Sequence, residues 1–81
     1  MNSLEDQVIR WVREVSEGDG RAEALNAESA LLDNGLLDSM KVVRLVGLIE
    51  DHLGFPLPED EISAENFESP KHIASLIRRL G

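Results

Sequence analysis

The sequence predicts an all-α fold, a small bundle of three main helices plus one short helix in a single domain over residues 1–81. Three observations predict it: apolar residues recur at helical spacing in separate segments, capping residues stand at the head of each segment, and glycine or proline punctuates the ends. Ser3, with Asp6 three residues on, caps a helix over about 4–15 that places Leu4, Val8, Trp11, Val12 and Val15 on one face. "SEGDGR" stops that helix, since its two glycines disfavour continuation. The alanine-rich linker that follows carries Leu31, Leu32, Leu36 and Leu37, too apolar for a free loop, so it is expected to lie against the bundle.

Asp38 is a good N-cap, and Val42, Leu45, Val46, Ile49 and Leu53 form an apolar stripe behind it. The second helix therefore spans about 39–53 and ends at Gly54, two residues before Pro56. Ser63 is placed to cap a short helix over about 64–68 that contains Phe67. Ser69, with Pro70 at the first helical position, opens the last helix over about 70–80. Ile73, Leu76, Ile77 and Leu80 form its stripe, and Arg78 and Arg79 suit the negative end of its dipole. Phe67, Ile73 and Trp11 are assigned to the core.

Composition narrows the function. A chain of 81 residues leaves little room for a deep active-site cavity, and a formal net charge of -8 repels the nucleic-acid backbone. No apolar run is long enough to cross a bilayer and the N-terminus lacks a signal-peptide pattern, so a cytoplasmic location is expected. With no cysteine, thiol chemistry would have to come from an attached group, and no metal ligand set is expected. The charge is uneven: residues 54–70 carry Glu59, Asp60, Glu61, Glu65 and Glu68 and no base, whereas Lys41 and Arg44 make the start of the second helix locally basic.

The residue that needs an explanation is Ser39, in "NGLLDSMKVV". A serine nucleophile needs a base within hydrogen-bond reach. At about 1.5 Å of rise per residue, His52 lies roughly 20 Å along the same helix, and no glycine-rich nucleophile elbow surrounds Ser39, which disfavours an enzyme; spacing alone leaves His72 open. A plain helix-start serine is one reading. Attachment is the other: a phosphate ester on Ser39 would sit beside unpaired N–H groups at the positive end of the dipole, with Lys41 as a nearby cation.

"GLLDSMKVVRLVGLIEDHLGFPLPEDEI" resembles the phosphopantetheine attachment region of the acyl and peptidyl carrier proteins. The Asp-Ser-Met tripeptide is weak by itself; the ensemble of the Gly-Leu-Leu run, the helical stripe, the "PEDEI" segment, the "ENF" turn and the closing helix makes the match specific. It covers residues 29 to 80 well and the first helix more loosely. The resemblance implies a carrier-protein-like fold and no catalysis by the chain itself. It further implies that a phosphopantetheinyl transferase attaches 4'-phosphopantetheine from coenzyme A to Ser39, and that the arm's thiol holds a cargo as a thioester. Asp38 matches the acidic residue that caps the helix and is implicated in metal-assisted recognition by the transferase. Met40 and Val43 match positions presented to partner enzymes, Leu37 and Ile62 lie in segments that flank the arm, and Lys41 and Arg44 join them as partner contacts.

Lys41 and Arg44 stand where carriers of fatty-acid synthases are usually acidic, which argues against that role. "GLLDSM" is similar to D-alanyl carriers of teichoic acid synthesis and to free-standing carriers of nonribosomal peptide or polyketide pathways, and "ENFESP" leans to the latter. An aminoacyl or small acyl cargo, loaded by a separate adenylating or acyl-loading ligase and passed to condensing, transferase or tailoring enzymes, is the expectation for this chain, as a monomer. The start at Met1 and the short tail after Leu80 favour a free-standing protein. A small helical interaction module without a prosthetic group shares every periodicity above, and only modification of Ser39 separates the two.

Overall fold

Three caps and one left-handed glycine set the helix boundaries in the computed structural model, which describes residues 3–81; Met1 lies outside them. α1 spans Leu4–Val15, α2 Ser39–Leu53 and α3 Pro70–Leu80, with short 3₁₀ helices at Gly20–Ala24 and Glu59–Glu61. The Ser3 hydroxyl accepts from the Asp6 N–H at 3.1 Å and the Asp6 carboxylate accepts from the Ser3 N–H at 3.4 Å, a reciprocal box that starts α1. Asp38 accepts from the Lys41 N–H at 2.9 Å to start α2, which closes on Gly54 at φ 82. At α3 the Ser69 hydroxyl accepts from the His72 N–H at 3.3 Å, and Pro70 takes the position where no donor is missed.

α1 packs against both α2 and α3. Val8, Val12 and Val15 of α1, Leu45 and Ile49 of α2, and Ile73, Leu76 and Ile77 of α3 form one buried cluster. The linker belongs to it as well: Leu31, Leu36 and Leu37 are buried. Each leucine removed from water contributes about 1.5–3 kcal/mol toward holding the segment on the bundle. Backbone bonds fix its path, from the Leu31 N–H to the Glu68 carbonyl at 2.9 Å and from the Lys71 N–H to the Ala27 carbonyl at 2.8 Å.

Three details differ from expectation. Residues 64 to 67 make a hydrogen-bonded turn rather than a short helix over 64–68: the Phe67 N–H reaches the Ser63 carbonyl at 3.2 Å, and Ser69 caps α3 before a second turn can propagate. The glycine-containing stretch after α1 forms the first 3₁₀ helix because Asp19 caps it at the Arg21 N–H and Arg13 holds the Ala22 carbonyl at 3.0 Å. Trp11 lies only half-buried at the margin of the core and meets His52 edge-on, with ring centroids 5.4 Å apart. Among the described residues no helix is long and apolar enough to cross a membrane.

A surface pair ties α1 to α3: Arg78 donates to both carboxylate oxygens of Glu5, at 2.9 and 2.8 Å. Those bonds are the main cause holding the Glu5 carboxyl at about 2 instead of 4.5. Because the folded-state value lies below the unfolded one, the pair's contribution to stability is present above about 4.5 and is lost as pH falls toward 2. Carboxyl-carbon NMR titration should place the Glu5 midpoint near 2 in the wild type and in the ordinary glutamate range in Arg78→Gln. An ordinary midpoint in the wild type would mean that the pair does not persist in solution.

Candidate functional site

Ser39 is the first residue of α2 and is exposed. Asp38 occupies the Lys41 N–H, and the first backbone bond of the helix runs from the Val42 N–H to the Asp38 carbonyl at 2.9 Å. The preceding N–H groups have no partner within the helix and point toward its N-terminal end. An anion on the Ser39 hydroxyl would gain about 0.3–1 kcal/mol from this end of the dipole.

Beside Ser39 lies an open groove of about 390 Å³. Val42 and Val43 of α2 form one side, and Leu32, Ile62, Ala64 and Phe67 come from the linker and the acidic loop. The loop is pinned where it matters for Ile62. Glu61 accepts from Arg79 at 2.9 Å, Asn66 donates to the Glu61 carbonyl at 2.8 Å, and the Ser63 hydroxyl accepts from the Asn66 N–H at 3.3 Å. Farther back, Glu50 accepts from the Leu57 N–H at 2.7 Å and anchors the start of the same loop. An exposed hydroxyl at a helix N-terminus, flanked by a mostly apolar groove, fits a phosphodiester-linked arm with an aliphatic portion.

The residues expected to meet partners separate into two groups. Met40 is 77% exposed and Val43 71%, Ile62 is 38% exposed, and Arg44 is exposed beside Glu14 and Glu17 at the end of α1. Leu37, by contrast, is only 3% exposed and donates its N–H to the Leu31 carbonyl at 3.0 Å, so it supports the segment from inside and offers no contact surface. Lys41 is half-buried and its ammonium donates to the Leu36 carbonyl at 3.2 Å. At about 100° per residue it projects from nearly the opposite side of the helix to Ser39, so it is not the cation of an anion held there.

Neither histidine is a base for Ser39. His72 Nδ1 lies 2.6 Å from the Ser69 hydroxyl and His72 Nε2 lies 3.9 Å from Glu68, a helix-cap cluster that borders a separate cavity with Glu28 and Lys71. His52 sits in the last turn of α2, against Trp11.

Asp19, Arg21 and Ser16 carry structure that the local sequence pattern does not mark. Arg21 donates to Asp19 at 3.1 and 2.7 Å, to the Asn34 carbonyl, and to the Gly35 carbonyl at 3.4 Å. These bonds to Arg21 are the main cause holding the Asp19 carboxyl at about 2. The buried Ser16 hydroxyl lies 3.5 Å from the Leu36 carbonyl. No periodicity marks these residues; the available signal was the Asp19–Gly20–Arg21 pattern of a cap followed by an opposite charge.

Residues 10–77 match the family described as Phosphopantetheine attachment site. The chain is 36% identical over 77 residues to a D-alanyl carrier protein of Bacillus pumilus, spanning 95% of this chain and 96% of that protein. It is 32% identical over 75 residues to the lincomycin biosynthesis protein LmbN of Streptomyces lincolnensis, across 93% of this chain and 26% of that protein. With Aminoacyl carrier protein 1 of Bradyrhizobium diazoefficiens the identity is 28% over 74 residues, or 91% and 81% of the two chains.

Proposed function

The chain belongs to the phosphopantetheine-attachment family of carrier proteins, which are not catalysts themselves, and from that premise we propose that Ser39 bears the 4'-phosphopantetheine and that the cargo is an amino acid. The observation that carries the assignment is the exposed hydroxyl at the head of a 15-residue helix, beside an apolar groove and next to Met40 and Val43. When bound, the group supplies a terminal thiol that holds the cargo as a thioester. The chain's own residues supply the setting. Asp38 fixes the helix start and gives the transferase an acidic neighbour to the serine, the first-turn N–H groups favour the phosphodiester, and Val42, Val43 and Ile62 offer apolar surface beside it.

The cargo assignment is supported by relatives whose names specify D-alanyl and aminoacyl carriers, and by Arg44, which disfavours the basic partner surfaces suited to acidic carriers. We place the protein in the cytoplasm as a monomer that meets a phosphopantetheinyl transferase, an adenylating ligase and then condensing, transferase or tailoring enzymes of a secondary pathway. The extended likeness to D-alanyl carriers favours a second reading, in which D-alanine is the cargo.

Incubating the modified protein with adenylating ligases, ATP and single amino acids, D-alanine among them, tests this by intact mass. An aminoacyl adduct on the wild type and none on Ser39→Ala is the expected result. A protein that accepts only long fatty acyl groups would overturn the cargo assignment.

A further inference from the structure

Three consecutive carbonyls just upstream of Ser39 are each approached by a side chain from elsewhere in the fold. Arg21 reaches those of Asn34 and Gly35, and Lys41 and Ser16 converge on that of Leu36. Gly35 turns the chain here with φ 72, a left-handed conformation that suits glycine, so the turn's shape is local but its placement is not.

That placement is set from α1 outward. Asp19 caps the first 3₁₀ helix, Arg13 holds that helix through the Ala22 carbonyl, and Asp19 grips the Arg21 guanidinium with two bonds. A guanidinium already fixed in its plane loses little further freedom when it binds carbonyls. Arg21 therefore acts as a preset clamp rather than as one more exposed ion pair.

Resting on the assignment of Ser39 as the modified residue, we propose that Arg21, assisted by Lys41 and Ser16, is a positioning residue for that modification: it holds residues 34 to 36 so that Asp38 and Ser39 meet the transferase along one fixed approach. Without the clamp, the free chain samples other paths through the Asn34–Gly35 turn. The transferase then captures only the fraction that is correctly placed. If that fraction falls to about a tenth, the apparent affinity falls about tenfold, while turnover of the bound complex is kept.

The test compares Arg21→Gln with Arg78→Gln, which also removes an exposed two-bond pair to a carboxylate but between α1 and α3. Each variant is modified with coenzyme A, magnesium and a phosphopantetheinyl transferase, and amide hydrogen exchange is followed in parallel. For Arg21→Gln we expect KM to rise about tenfold with kcat retained, together with faster exchange confined to residues 34 to 38. Arg78→Gln should change neither, and Arg21→Lys, which keeps the charge but loses the fork, should fall between. If Arg21→Gln loses protection throughout the chain, the KM and local exchange of Arg21→Lys decide. Wild-type KM in Arg21→Gln, or an equal rise in Arg78→Gln, would overturn the positioning role alone. A wild-type chain that takes no phosphopantetheine would overturn the Ser39 assignment as well.

Discussion

Phe67→Ala should lower the unfolding free energy by about 3–5 kcal/mol, the range for removing a fully buried aromatic side chain. Phe67 is 1% exposed and belongs to the common core, although it sits in a turn and not in a helix. Domains of this size are held by about 0.05–0.15 kcal/mol per residue, so one such loss removes a large share of the total. The side chain also borders the groove beside Ser39, which links fold stability to the site. Urea unfolding followed by circular dichroism measures the loss, and Phe67→Leu, which keeps most of the volume, should cost less than about 1.5 kcal/mol. A loss below about 1 kcal/mol in Phe67→Ala would show that the acidic loop is not packed as described.

The second large effect concerns docking. Met40→Ala should reduce kcat/KM for loading by the cognate ligase by about 30-fold or more, corresponding to the 2 kcal/mol typical of a buried interface anchor. Its stability should stay within about 0.5 kcal/mol of the wild type, because the side chain is 77% exposed in the free protein. Arg44→Glu should weaken loading in a salt-dependent manner, since the change acts on charge complementarity at the same face. Lys41→Glu is a poorer probe of docking: it would also remove the bond to the Leu36 carbonyl and so disturb the segment leading to Ser39. Loading kinetics unchanged in both Met40→Ala and Arg44→Glu would remove this face from the interface.

The helices were legible because their boundaries are local. Ser3, Asp38 and Ser69 each cap through their own side chain, Pro70 and Gly54 act through backbone conformation, and the stripes of Val8, Leu45 and Ile73 repeat at helical spacing. The place of Ser39 at the head of α2 was legible for the same reason, as a serine directly behind a cap. What did not show in the sequence depends on distant partners. The first 3₁₀ helix forms where two glycines argue against helix, because Arg13 on α1 supplies a bond that no local pattern contains. The ammonium of Lys41 and the guanidinium of Arg21 have their targets in the folded linker, which no local pattern around either residue reveals. Leu37 follows Leu36 in an apolar pair, and only the path of the linker determines that both are buried.

The most direct measurement is intact-mass spectrometry of the protein before and after incubation with coenzyme A, magnesium and a promiscuous phosphopantetheinyl transferase, with Ser39→Ala alongside. A gain of one phosphopantetheinyl group by the wild type and none by the variant is the predicted result. No gain by the wild type, with a transferase active on a control carrier, or an equal gain by Ser39→Ala, would contradict the assignment of Ser39 as the attachment residue.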